Sequence, residues 1–273
     1  MPAIPETLRS FVAVLVTGGS SGLGKAYLEH AAKENPRAWF CNFSRTKPAI
    51  NLSELNLRHI PCDLEKSSEV ARAAAEALAW LRESVPAGRV LLINNSGFGS
   101  YGRFPAPSLD HQLAMVDLNV RAPVQLAGLL LPELKARGGA IINVASTAAF
   151  QPTTYMATYG ATKAFLLHWS LALNEELRGS GLRALAVCPG PTTTNFFQRA
   201  GMQPGTAPDS LSMTCDAVVT QTWRALAAGR AQVVTGWKNK VLTALSSKVP
   251  KPLAARGSAV VLKKFRLKQA GAK

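Results

Sequence analysis

The sequence predicts an α/β fold built on a doubly wound parallel sheet of about seven strands with helices on both faces. Three observations predict it. Short runs rich in β-branched and other apolar residues recur along the chain, separated by amphipathic segments of helical length. Most runs are apolar at successive rather than alternate positions, as strands covered on both faces must be. Strands that alternate with helices close into a parallel sheet through right-handed crossovers. At 273 residues the chain fits one domain with a sizeable core.

The elements follow in order. "FVAVLVT" at 11–17 is apolar for about six residues, is flanked by a lone Arg9 and runs into a glycine loop, so it reads as a buried strand and not as a secretory leader. A helix is expected over 22–34, then strands at 38–44 and 57–63, and a helix over 67–84. Strand 89–97, helix 109–136, strand 138–146, helix 156–179 and strand 181–190 continue the alternation. Helix 210–228 and a short strand at 231–236 close it. No apolar run approaches the roughly 20 residues a bilayer crossing needs. Cys41, Cys62, Cys188 and Cys215 show neither CxxC spacing nor a histidine at ligand spacing, which fits reduced thiols in a cytoplasmic protein with no metal site.

Lysine and arginine number 31 against 16 acidic residues, a net charge of +15. Asp216 is the last acid. The 12 basic residues after it leave 19 against 16, or +3, for residues 1–216. A nearly neutral body with a basic tail argues against nucleic-acid binding, because the tail interleaves no aromatic residues beyond Trp237 and Phe265. We divide the chain into a domain over 1–236 and a basic amphipathic extension over 237–273. In the extension Val241, Leu242, Leu245 and Val249 fall at helical spacing, as do Val261, Leu262 and Phe265, and Pro250 and Pro252 separate two helices. Such a pair can lie peripherally on an anionic membrane, or pack on a partner subunit or beside a lid over 191–214, with its lysines solvated.

Ligands of doubly wound sheets bind outside the carboxyl ends of the strands. After the first strand "TGGSSGLG" supplies Thr17, Gly18, Ser20, Ser21, Gly22, Leu23 and Gly24. Gly18 and Gly22 let the backbone turn and approach a pyrophosphate, Gly24 permits close helix packing, and the N–H groups of the helix start face the phosphates. Glycines at such a joint also make plain tight turns; the strand–loop–helix context favours the dinucleotide. The second strand ends in "NFSR", where Ser44 stands in place of a ribose-binding carboxylate. Arg45 is then either solvated or the partner of a 2′-phosphate, and with the glycine loop upstream NADP(H) is the expected cofactor.

"TYGATKAFL" holds Tyr159 and Lys163 four apart with no acid nearby. Positions i and i+4 share a helix face. A phenol has an ordinary pKa of about 10, too high to cycle a proton readily at neutral pH, and a neighbouring cation favours its phenolate. An amphipathic helix also offers such a pair by chance, so the surrounding residues decide. Tyr155 has no lysine four residues on and is read as pocket lining.

The spacing GxxxGxG after Thr17, "NNSG" at 94–97, Ser146 thirteen residues before Tyr159, and "CPGPTTT" at 188–194 together resemble the short-chain dehydrogenase/reductase family, over roughly residues 10–236. The resemblance implies a Rossmann-type fold and a catalytic set of Asn119, Ser146, Tyr159 and Lys163. It implies a cofactor site to which Asp63 and Leu64, Asn95 and Gly97, Pro189 and Gly190, and Thr192 and Thr194 contribute, along with Tyr159 and Lys163. Ser96 departs from the family's usual alanine. The stretch 191–214 reads as a lid with apolar Phe196 and Phe197, and Phe98 joins these as pocket lining; an ordinary surface loop has the same composition.

The expected activity is hydride transfer between NADP(H) and a carbonyl/alcohol pair on a small apolar substrate of lipid, steroid or acyl type, in a homodimer or homotetramer. The rival is a non-catalytic NADP(H)-binding regulator of the same fold.

Overall fold

The computed structural model describes residues 4–50, 55–202 and 211–267. Its seven strands are β1 (Phe11–Thr17), β2 (Trp39–Ser44), β3 (Asn56–Pro61), β4 (Arg89–Asn94), β5 (Gly139–Val144), β6 (Leu182–Cys188) and β7 (Gln232–Val234). They form one sheet in the order β3-β2-β1-β4-β5-β6-β7, with every neighbouring pair parallel. Central β5 is buried at all six positions, whereas edge strand β3 alternates exposed and covered residues, as its single neighbour requires.

Alternate residues of each strand feed two cores. Ala13 and Leu15 of β1 pack with α3 (Ser67–Glu83), α5 (Ala122–Arg137) and α6 (Ala157–Glu176) on one face. Phe11, Val14 and Val16 pack with α1 (Ile4–Arg9), α2 (Gly22–Glu34) and α8 (Cys215–Ala227) on the other. On that second face the Tyr27 hydroxyl bonds Thr222 Oγ1 at 2.9 Å, and its ring meets Trp223 edge to face with centroids 5.3 Å apart. The Rossmann-type, doubly wound expectation is met, with the strand order reversing between β1 and β4.

Four local differences bear on function. The helix expected over 109–136 is split into α4 (Leu109–Val116), a π-helical turn at Asp117–Arg121, and α5. The whole stretch Leu109–Arg137 has a mean hydropathy of 1.2 in its most apolar window and is long and apolar enough to cross a membrane. Its α5 half nevertheless packs on β4 and β5 through Leu126 and Leu130. Short helices α1 and α7 (Phe196–Arg199) were not foreseen. Helix α8 starts at Cys215 and not at 210, and the lid stretch 203–210 lies outside the described residues.

The tail forms α9 (Trp237–Lys248) and α10 (Lys251–Leu267), divided at Val249–Pro250. Pro252 sits in the first turn of α10, where a missing N–H costs nothing. The apolar residues at helical spacing on α9 are not its buried face: Asn239 and Thr243 are buried, and Val241, Leu242, Leu245 and Val249 are exposed. Asn239 Nδ2 donates to Thr235 O at 3.0 Å and Leu211 O at 3.4 Å, which holds it inward, and Thr243 Oγ1 donates to Asn239 O at 3.0 Å within the helix. The side chain of Phe265 lies outside the described residues.

Gly24 shows what fixes the joint between β1 and α2. A Cβ there would lie 2.2 Å from Gly18 O and 2.5 Å from Asn95 Nδ2. Neither neighbour can yield, since one is backbone and the other is tied to Thr17 O at 3.0 Å. Gly24→Ala is expected to destabilise the fold by about 1–3 kcal/mol, as overpacking does. Thermal unfolding should then begin at least about 2 °C lower; an unchanged melting temperature would show that the helix can shift freely.

Candidate active site

A cleft of about 670 Å³ crosses the carboxyl ends of the strands. Its floor at one end is the glycine loop between β1 and α2. Gly18 N donates to Phe43 O at 2.8 Å, and Gly19 N donates to Asn42 Oδ1 at 2.7 Å. Asn42 is fully buried in β2 and also donates through Nδ2 to Ser44 Oγ at 2.8 Å. Sequence reasoning passed over Asn42, although a lone amide inside an apolar strand is the signal for such a brace. Gly18, Ser20, Ser21, Gly22 and Leu23 line the cleft.

Thr17 and Gly24 do not. Thr17 is buried and its Oγ1 accepts from the N–H groups of Asn95 and Ser96, each at 2.9 Å. It ties β1 to the end of β4 behind the loop, so its expected contact with the cofactor is corrected to a supporting role. Gly24 supports the loop by its packing, as described above.

Ser44, Arg45, Asp63 and Leu64 line the end of the cleft beyond β2 and β3, with Thr46 and Glu65 beside them. Ser44 Oγ is spent on Thr46 O at 2.7 Å. The Arg45 side chain is 71% exposed and, among the described residues, makes a long ion pair with Glu65, Nη1 to Oε1 at 3.9 Å. An exposed pair of this length holds little energy, which leaves the guanidinium free to turn onto a phosphate. At the mouth of the other end Pro189, Gly190, Thr192 and Thr194 line the cleft. Thr194 Oγ1 accepts from Phe196 N at 3.2 Å and so fixes the start of α7.

The four expected catalytic residues converge. Ser146 follows β5 and caps the turn Thr147–Phe150, its Oγ accepting from Ala148 N at 3.1 Å. Its hydroxyl lines the cleft together with the phenol of Tyr159, which α6 carries at the apolar end, and stands near enough to lower that phenol's pKa. One turn on, Lys163 Nζ donates to Val144 O at 2.8 Å and lies 6.0 Å from the centre of the Tyr159 ring. Asn119 sits in the π-helical turn, fully buried. Its Nδ2 donates to Phe98 O at 2.9 Å and Thr162 Oγ1 at 3.0 Å, and its Oδ1 accepts from Phe98 N at 3.1 Å. A π turn turns a side chain out of α register, and such turns cluster at functional sites. Gly97 gives this group room, since a Cβ there would lie 2.9 Å from Asn119 Oδ1 and 3.2 Å from Lys163 Nζ.

Burial dominates the electrostatics. It lowers Lys163 to about 8 and pushes Tyr159 up to about 12, the Ser146 hydroxyl pulling the phenol back only in part. Among the groups of the chain itself desolvation wins; the lowering of the phenol expected from the sequence belongs to Lys163 together with an oxidised nicotinamide.

Phe98, Met156, Tyr159, Phe196 and Phe197 form one apolar cluster at this end, joined by Tyr101, Met115 and Met202. Tyr159 and Phe196 rings are 5.3 Å apart. Tyr155 belongs to the same cluster but faces a second cavity of about 490 Å³, with a φ of +65°, and not the main cleft. Its assignment as lining of the catalytic pocket is corrected accordingly. His111 and Arg199 also line the main cleft, and neither stands in a motif that could have announced it. Among the described residues no cluster of histidine, cysteine and acids could hold a metal.

Comparison with known proteins agrees with this geometry. The family model for short chain dehydrogenase matches residues 12–204. A ketoacyl reductase, HetN, of Nostoc sp. is 32% identical over 184 residues, 65% of this chain and 62% of that protein, so the match spans less than two thirds of the relative. Serine 3-dehydrogenase of Rhizobium radiobacter is 32% identical over 185 residues, 67% of this chain and 73% of that one. The solved structure of a short-chain dehydrogenase from Sphingobium yanoikuyae in complex with NADPH superposes with a TM-score of 0.73 at 29% identity, covering 87% of this chain and 96% of its own. With the family model spanning well over half its length, the chain belongs to the short-chain dehydrogenase/reductase family of oxidoreductases.

Proposed function

We propose that the protein interconverts a carbonyl and an alcohol on an apolar substrate with NADP(H), using Tyr159 as general acid and base. The observation that carries this reading is the convergence of Ser146 and Tyr159 on the apolar end of a long cleft, one helical turn from a buried lysine with no acid beside it among the described residues. The residues fit the cofactor: Gly18, whose Cβ position is occupied by Ser96 Oγ at 2.6 Å, leaves bare backbone facing the cleft, and Arg45 stands free at the adenosine end. When bound, the nicotinamide supplies or accepts the hydride.

The chain supplies the rest. In the reductive direction Ser146 Oγ orients the carbonyl oxygen and Tyr159 Oη donates the proton to it. Lys163, charged at neutral pH because its pKa stays near 8, stabilises the phenolate left behind and binds ribose hydroxyls. Asn119 holds the 98 loop and the lysine's surroundings in register for proton resupply. The aromatic residues Phe98, Phe196 and Phe197 exclude water and select an apolar group next to the reacting carbon. The ketoacyl reductase among the relatives supports an acyl substrate.

Leu109, Leu113 and Val116 are exposed at i, i+4 and i+7 on α4, which supports a homo-oligomer joined through that helix. Free thiols at all four cysteines, three of them buried, support a cytoplasmic placement.

Tyr159→Phe is expected to lower kcat by at least about 10²–10⁴, the worth of a positioned acid and base, with NADP(H) affinity nearly unchanged. Loss of reduced-nicotinamide absorbance over a panel of apolar ketones and 3-oxoacyl thioesters measures it, and a variant that retains kcat removes Tyr159 from the chemistry. Arg45→Ala is expected to weaken NADP(H) by about 1.5–3 kcal/mol and leave NAD(H) unchanged, since only the 2′-phosphate is lost as a partner. Titration calorimetry with both cofactors decides this, equal losses counting against phosphate recognition.

A further inference from the structure

The exposed apolar surface of α9 and α10 serves neither the sheet nor the cleft. On α9, Trp237, Val241 and Leu245 follow one another at i, i+4 and i+8, 72%, 51% and 61% exposed, with Leu242 and Val249 beside them. On α10, Leu253 and Val260 are exposed on the side away from buried Ala254 and Ser258 and half-buried Leu262, and Val261 is exposed at the edge of that buried face. Lys238, Lys240, Lys248, Lys251, Arg256 and Lys263 are exposed among them. Residues 237–273 contain ten lysines and arginines and no acidic residue.

We propose that the outer faces of α9 and α10 seat the protein on an anionic lipid surface. Charge selects the occupant. A second copy applied to the same patch would set cations against cations across a two-fold axis, with no acid in the segment to answer them. An anionic bilayer interface answers both features, taking the apolar side chains into the acyl boundary and pairing the lysines with headgroups. Trp237, with Lys238 Nζ 5.7 Å from its ring centre, has the chemistry of an interfacial anchor.

The inner face of α10 connects this surface to the substrate end of the cleft. Tyr101 Oη donates to Leu262 O at 2.6 Å, Tyr101 N donates to Ala200 O at the end of α7 at 3.0 Å, and Ser258 Oγ accepts from Thr154 N at 3.1 Å. Leu262 packs in the apolar cluster around Tyr159. One helix diameter, about 10 Å, therefore separates the docking face from the pocket wall.

The test needs no substrate, so its outcome is independent of the proposed activity. The full chain is floated with vesicles of phosphatidylcholine alone or with about a third phosphatidylglycerol, at about 0.1 M and about 1 M salt. The double replacement Val241→Asp/Leu245→Asp and the triple replacement Lys238→Glu/Lys240→Glu/Lys248→Glu are compared with the parent. All five positions are exposed, and unchanged thermal unfolding confirms that the variants fold. The expected result is binding to the anionic vesicles that falls at least about tenfold on neutral lipid, in high salt and in either variant. Absence of binding to any vesicle, or binding indifferent to lipid charge and salt, overturns the proposal. So does an oligomer that the double variant dissociates while neither protein binds lipid, which assigns the face to a second copy.

Discussion

A lysine buried without a counter-ion is the constraint around which the catalytic end of this protein is arranged. Burial brings Lys163 down to about 8, its Nζ donates to Val144 O at 2.8 Å, and no acid among the described residues stands close enough to cancel the field of its ammonium. That arrangement fixes several other choices. Val144 must end a strand for its carbonyl to be available; Gly97 must lack a side chain; Asn119 must leave α-helical register to brace the loop that passes over the lysine. A carboxylate beside Lys163 would make burial easier and would remove the field that a phenolate at Tyr159 needs.

The same logic explains why the two ends of the cleft differ. The glycine-loop end is made of backbone N–H groups, hydroxyls and an arginine whose ion pair with Glu65 is long and solvent-exposed, which suits phosphates. The Tyr159 end is aromatic and holds its few polar groups in fixed bonds, which suits an apolar carbonyl and keeps water from the reacting atoms. Tyr101 links this end to α7 and to α10, so the tail forms part of the wall and is more than an appendage.

Much of this was legible in the sequence, because it rests on two periodicities. Alternation between strand-like runs and helical segments announces the sheet, and Tyr159 with Lys163 at i and i+4 after Ser146 announces the catalytic face. What escaped lies in contacts between residues far apart in the chain. Thr17 looks like part of a phosphate loop but turns to the backbone of Asn95 and Ser96, and Asn42 braces Gly19 from a neighbouring strand. The π turn at Asp117–Arg121 has no residue pattern that separates it from an α-helix. In α9 the apolar spacing gave the element but left its buried face open, which Asn239 settles by reaching Leu211 O, a partner distant in the chain.

Desolvation holds the Tyr159 phenol high, and in the proposed mechanism the field around Lys163 lowers it once the cofactor site is filled. The direct measurement is the titration of Tyr159 by ring-labelled tyrosine NMR, assigned by its loss in the Tyr159→Phe protein, with and without saturating NADP⁺. The phenol should titrate well above the ordinary value of about 10 in the protein alone. It should fall by at least about one unit with NADP⁺ bound, and fall less in the Lys163→Met protein. A Tyr159 that titrates at the ordinary value in the free protein, or one whose shift on cofactor binding is the same without the lysine, would contradict it.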